Sequence, residues 1–327
     1  EWTEQLKKCD EVELYIIKST VIIAGTCTGF VSNRIIRDVD FDYVIVDEAA
    51  KATFPELAVS LNKAHKIILV GDHQQLPPVL DTEIIRNNRE KLDEESLAQG
   101  IFEKMYNMFP DDNKHRLTIQ YRMHPTIGTL ISHVFYNDEI QNGVEAHDRE
   151  LCIEGYEDTA IEWISTSKYS SKERYEKEFD NNGKKSYQNY LERNIIEKKL
   201  LELDSKLTQK TKVAVITGYG PQKYILQTMV KQHSYKNLEI DVDTVDAFQG
   251  SQKDIILYST VRSSANKYGI GFLKSEARIN VAFSRARCLL IIVGDMNFLD
   301  NYRIRGNKFP EIIEYIKESE GCRIIEE

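Results

Sequence analysis

Val44-Ile45-Val46-Asp47-Glu48-Ala49-Ala50 (VIVDEAA) sets an apolar run directly against two adjacent carboxylates. The run suits a strand buried in a sheet. The acids do not, because an unpaired buried charge costs several kcal/mol, comparable with the stability margin of a whole domain. Two readings are open: an exposed strand tip that happens to carry acids, or a site that needs negative charge. At the carboxyl end of a parallel strand such groups would face the crevice where ligands collect.

The surrounding sequence repeats the pattern. Thr20–Ala24, Tyr43–Val46, Lys66–Val70 and His115–Ile119 are short runs rich in β-branched and apolar residues, read as largely apolar rather than alternating. That pattern predicts strands covered on both faces, as in a parallel sheet packed by helices. Between them Thr53-Phe54-Pro55-Glu56 reads as a helix start leading into Leu57–Leu61, with a capping hydroxyl and a first-turn proline. Further strands are expected at Ala160–Ile164, Val213–Ile216, Asp254–Thr260 and Leu289–Val293, and a helix from about Tyr187 to Leu203. The polar stretch Ser165–Ser186 reads as a solvated excursion or a flexible loop. Strand–helix alternation in two blocks predicts two α/β domains, residues 1–115 and 116–327.

With 43 basic against 52 acidic side chains the net charge is −9, which argues mildly against non-specific polyanion binding while leaving room for a local basic groove. The five cysteines form no CxxC pair, so they read as reduced thiols of a cytosolic-type compartment. No apolar run approaches the roughly 20 residues that span a bilayer, and no membrane partner is expected.

Four further stretches carry chemistry. Gly71-Asp72-His73-Gln74-Gln75-Leu76-Pro77-Pro78 ends a strand in amides that can sense a phosphate without adding charge. Gln120-Tyr121-Arg122-Met123-His124-Pro125 sets a stacking ring beside a bidentate phosphate donor. Val242–Asp254 gathers polar groups around Gly250, and Asn280–Arg287 ends in two arginines. Each taken alone has a plain structural reading, such as a proline-stiffened loop, a buried tyrosine or solvated arginines.

Their order is specific, and it resembles a superfamily 1 helicase of the group containing the nonsense-mediated-decay helicase and senataxin. The carrying motifs are DEA..A...E (Asp47–Glu56), GD..QLPP (Gly71–Pro78), QYRMHP (Gln120–Pro125) and FY...IQNGV (Phe135–Val144). They continue with S..N..E (Ser186, Asn189, Glu192), ITxY..Q (Ile216–Gln222), VDAFQG (Val245–Gly250), GIGFL (Gly269–Leu273) and NVAxSRAR (Asn280–Arg287). The resemblance runs from about Val21 to Asp295. It implies two RecA-like P-loop NTPase lobes with mainly parallel sheets, the first lobe incomplete, using ATP and Mg²⁺ to move 5′ to 3′ along single-stranded DNA or RNA.

The resemblance also implies roles. Asp47 would take Mg²⁺ and Glu48 would be the general base. Gln75 would sense the γ-phosphate, and Arg122 and Arg285 would be arginine fingers. Tyr121 would stack on adenine, with Gly250, Gln252 and Arg287 also on the nucleotide. Thr26, Thr28, Pro78, Tyr219 and Thr244 would line the strand-binding groove. A cytoplasmic location is implied, or a nuclear one in a eukaryote.

Three departures stand out. No phosphate loop G-x-x-x-x-G-K-[ST] occurs; the nearest match, Asn182–Ser186, has Glu178 where the first glycine belongs. Backbone amides and the lysine of that loop normally hold the β- and γ-phosphates, so this chain alone is expected to be inactive, as the C-terminal part of a longer helicase. Lys51 stands where the family has glutamine, and Gln252 where it has glutamate. The rival reading is a non-catalytic single-strand-binding or scaffolding module that retains the helicase surface.

Overall fold

The computed structural model describes residues 10–36, 39–78, 100–181, 184–264 and 269–326. Cys9 and the Asn182-Gly183 part of the phosphate-loop near-match lie outside the described residues. The chain divides into two compact units, Glu1–His115 and Arg116–Glu327.

In the first unit β1 (Phe41–Val46) pairs in parallel with β2 (Ala64–Leu69), Ile45 opposite Ile68. Their crossover is the helix Phe54–Leu61, which begins as its sequence dictates: Thr53 and Glu56 form a capping box and Pro55 lies in the first turn. Its Leu57 is buried with Val46, Ala49, Ala50 and Phe102. The opposite sheet face is open, and Ile45 is 67% exposed. The expectation of strands covered on both faces therefore fails here, because among the described residues the crossover helix covers one side only. Thr20–Ala24 forms no strand, and Val21 is 98% exposed. Backbone that finds no neighbouring strand gains nothing from β propensity.

The second unit opens with the short parallel pair β3 (Ile119–Gln120) and β4 (Gln141–Asn142), so the strand expected from His115 shrinks to two residues. Its main sheet comprises β5 (Ile161–Ser165), β8 (Thr211–Thr217), β9 (Leu238–Thr244), β10 (Lys253–Ser259), β11 (Ala286–Gly294) and β12 (Cys322–Glu326). A hairpin of β6 (Lys177–Asn181) and β7 (Lys184–Gln188) lies between β5 and β8 in the chain. The sheet order is β12-β5-β11-β10-β8-β9, every pair parallel. Val213–Ile216, Ile255–Leu257 and Leu290–Val293 are fully buried, each valine, leucine or isoleucine among them contributing about 1.5–3 kcal/mol. The helix Tyr190–Lys206 packs Ile195, Ile196, Leu200 and Leu203 into this core. It starts three residues later than its pattern suggested, because β7 claims Tyr187 and Gln188.

The polar stretch Ser165–Ser186 is no loose excursion. It forms the turn of helix Ser171–Arg174 and then the hairpin, and Glu176 just before the hairpin is fully buried against Arg262, 2.9 Å apart. The Arg262 guanidinium also lies 4.0 Å over the Tyr187 ring. Glu176→Ala would strand a buried guanidinium without its carboxylate and should cost about 3–5 kcal/mol. Urea unfolding of the chain measures this; a loss below about 1 kcal/mol contradicts the pinning role.

Candidate functional site

In the first unit both acid and amide motifs lie beyond the carboxyl ends of β1 and β2. The parallel pairing continues past the strands: Val70 N–H donates to Val46 O (2.9 Å) and Ala49 N–H to Val70 O (2.8 Å). This holds the two loops side by side. Glu48 takes a left-handed backbone (φ 53°, ψ 35°), sparsely populated for a residue with a side chain. Its N–H donates to Asp47 Oδ1 at 2.9 Å, so the chain turns at the carboxylate pair and leaves both acids exposed. The bland reading of an exposed tip and the reading of a site agree on this placement; the left-handed turn favours the site. In the neighbouring loop Gln75 Nε2 donates to Asp72 Oδ2 (2.8 Å), and Asp72 Oδ1 accepts from Gln74 N–H (3.0 Å). Pro78 comes close to Gly100. Thr26 caps the helix Cys27–Ser32 by accepting from Gly29 N–H (3.0 Å), and its hydroxyl lies 3.4 Å from that of Thr28.

In the second unit the sheet sorts the candidates to opposite ends. Gly250 and Gln252 precede β10, while Arg285 and Arg287 flank the start of β11. The QYRMHP turn joins them at this amino edge: Arg122 Nη1 donates to Ser284 O (3.3 Å) and His124 N–H to Arg287 O (2.7 Å). Gly250 has φ +79°, a conformation only glycine adopts without strain, so its need is set by its own backbone. Arg285 is 2% exposed. Its guanidinium is turned inward onto Val281 O (3.0 Å), Ser251 O (3.4 Å) and Ser284 Oγ (3.0 Å), and reaching a phosphate requires leaving those bonds. Arg287 pairs with Asp254 at 3.0 Å. Tyr121 stands out, 63% exposed.

At the carboxyl edge, roughly 20 Å away by strand length, are Thr244, the last residue of β9, and Tyr219, just beyond β8. Thr244 is half-buried. Tyr219, expected in an open groove, is buried instead, 2% exposed. Its ring sits edge-on to Tyr187 (5.7 Å) and Phe272 (5.2 Å). Its hydroxyl donates to Ile270 O (3.4 Å) and accepts from Phe272 N–H (3.3 Å). The exposed aromatic of the helix Gly220–Lys231 is Tyr224.

This edge also holds a polar hub whose roles the motif spacing did not disclose. Glu192, fully buried, accepts from Ser259 Oγ (2.6 Å), Thr260 Oγ1 (3.2 Å) and Val261 N–H (2.9 Å). Asn189 donates to Val261 O (3.1 Å), and Gln222 bonds Asn189 N–H, Asn189 O and Ser259 Oγ. Between these bonds Val261 is held at φ +69° while Arg262 N–H closes onto Thr260 O at 2.8 Å, a strained three-residue turn for a β-branched side chain. The matching of S..N..E and ITxY..Q was the only signal for this hub in the sequence.

Exposed acids stand beyond a strand tip of the first unit, and the second unit carries an all-parallel six-stranded sheet with arginines along one edge; the parallel α/β fold is that of the P-loop NTPases. Within that class the chain belongs to the AAA-domain family: a family model of that description matches residues 97–297, and a second matches residues 2–83. It is similar to nonsense-decay helicases. Against the regulator of nonsense transcripts 1 homolog of Drosophila melanogaster it is 34% identical over 301 residues, 90% of this chain and 24% of the relative. Against the ATP-dependent helicase NAM7 of Saccharomyces cerevisiae it is 31% identical over 324 residues, 98% of this chain and 31% of the relative. The PRRSV helicase structure overlaps loosely, at a TM-score of 0.37 and 17% identity, covering 77% of this chain and 34% of that one. The chain thus spans about a quarter to a third of the length of these curated relatives. Among the described residues no helix is long and apolar enough to cross a membrane.

Burial lifts the Glu192 carboxyl to about 8 from 4.5, against the pull of its three donors. Between those values the folded chain keeps a proton that the unfolded chain has released. The stability linked to this group is therefore complete below pH 4.5 and declines as pH climbs to 8. The unfolding free energy of the wild type minus that of Glu192→Gln should fall from pH 5 to 8; a flat or rising difference refutes the assignment.

Proposed function

We propose that the chain is part of an ATP-driven motor that translocates on single-stranded nucleic acid and unwinds duplexes. The observation that carries this reading is the sorting in the second unit: an exposed tyrosine and three arginines at the amino edge, the hub and Thr244 at the carboxyl edge. A motor needs two such places on one rigid sheet, one for the nucleotide and one for the strand.

In this reading the first unit supplies the acid chemistry. Asp47 is a hard oxygen donor of the kind Mg²⁺ prefers, standing exposed past the strand tip. The metal would neutralise charge on the β- and γ-phosphates. Glu48 takes the proton of the attacking water, and Gln75 reads the γ-phosphate through its amide. From the second unit, Tyr121 stacks on the base, Arg122 and Arg285 neutralise the charge that develops on the transferred phosphoryl group, and Gly250, Gln252 and Arg287 border the nucleotide. Thr26, Thr28, Pro78 and Thr244 contact the strand. The buried ring of Tyr219 shapes that edge from beneath. Relatives named as ATP-dependent helicases support the use of ATP. Cytoplasmic or nuclear residence follows from the same reading.

Translating the reading frame upstream of the Glu1 codon tests for a GxxxxGK[ST] segment. In the longest product of that frame, Glu48→Gln should bind ATP yet fail to turn it over, and normal steady-state ATPase would refute Glu48 as the base. Arg285→Ala should slow hydrolysis about 10³-fold. Single-strand binding that falls steeply with salt but is indifferent to ATP would favour the non-catalytic module instead.

A further inference from the structure

The motif FY...IQNGV matched the family pattern without acquiring a role, and the structure places it directly under Tyr121. We infer that Gly143 and Arg149 are positioning residues that hold the Tyr121 ring as a platform for the base of a nucleoside triphosphate. This rests on the reading of Tyr121 as the base-stacking group.

Gly143 lies against one side of the ring. A methyl group at that position would stand 2.4 Å from Tyr121 Cε1 and 2.7 Å from both Tyr121 Cζ and Ile119 Cγ2. The neighbours in question are a ring and a β-branched side chain, and neither yields by so much without leaving its place. The backbone of Gly143 is not among those with positive φ, so glycine is needed here for space and not for conformation. Main-chain bonds fix the approach: Gly143 N–H donates to Gln120 O (2.8 Å), and Gln141 N–H to Thr118 O (2.7 Å).

Arg149 secures the other end. Its Nη2 donates to Tyr121 O (2.6 Å) and its Nε to Arg122 O (2.8 Å), while Nη1 bonds Asp148 O (2.8 Å). Charge-assisted bonds of this kind are about twice as strong as neutral ones, and the planar guanidinium bridges two successive carbonyls as lysine cannot. Gln120 completes the cradle: its Oε1 accepts from Arg122 and Met123 N–H (both 2.8 Å), and its Nε2 donates to Asn142 Oδ1 (2.8 Å). With the peptide groups on both sides of Tyr121 fixed and one flank of the ring on Gly143, an exposed aromatic surface remains. Rigid presentation lowers the ordering cost of stacking.

The test is competition by ATP and by inorganic tripolyphosphate against a fluorescent ATP derivative bound to this chain, in wild type, Tyr121→Ala, Gly143→Ala, Arg149→Met and Arg149→Lys. The ratio of the two affinities isolates the nucleoside, its loss in Tyr121→Ala assigns that preference to the ring, and a general loss of structure would weaken both ligands alike. Wild type should prefer ATP roughly ten- to a hundredfold, the size of a base-stacking contribution. Tyr121→Ala, Gly143→Ala and Arg149→Met should each bring the ratio close to one, and Arg149→Lys should fall between. If Gly143→Ala does not fold, the two Arg149 variants decide. A wild-type ratio in Gly143→Ala and Arg149→Met, with the ratio lost in Tyr121→Ala, overturns the positioning role and leaves the base reading standing. No preference in wild type, or none lost in Tyr121→Ala, overturns both.

Discussion

A carboxyl group sealed inside the second unit is the constraint on which the sheet's carboxyl edge depends. Glu192 sits in the first turn of the helix Tyr190–Lys206 and receives three donors from the end of β10. It thereby fastens a surface helix to a central strand and holds Val261 in a conformation its side chain disfavours. Asn189 and Gln222 close the same network from the helix cap and from the helix Gly220–Lys231. Buried polar groups of this kind are costly unless every member is satisfied, so the network tolerates little rearrangement.

The strained turn begins the segment that leads, by way of residues 265–268 outside the described set, toward the opposite edge. From Val261 the chain passes the buried Arg262–Glu176 pair, the Gly269–Leu273 segment that contacts Tyr219, and the helix Glu276–Phe283, and arrives at Arg285. The residue proposed to answer the phosphate and the hub near the proposed strand edge are thus linked by one stretch of backbone. Strain persists where surrounding structure over-determines it, and such places cluster at switch regions.

Much was legible locally. The crossover helix at Thr53–Glu56, the parallel strands at Tyr43, Lys66, Val213, Asp254 and Leu289, and the exposed acid pair all follow from patterns of a few residues. The misses share a cause. β9 alternates, as an edge strand half-open to solvent does, and did not look like its buried neighbours. Ser165–Ser186 looked solvated because its one decisive residue, Glu176, finds its cation in a distant segment. Tyr219 looked available to a strand because a motif gives identity and order without burial.

What the sequence determined by itself was the list of chemical groups and the family the chain belongs to, since the order of short motifs along a chain survives in one dimension. Only tertiary structure decided which groups face outward and which hold them: Tyr121 exposed over Gly143, Arg285 folded back, Tyr219 enclosed, Glu192 neutralised by burial. Those outcomes depend on packing between segments far apart in the chain, and desolvation is a property of the packed neighbourhood that no single segment encodes.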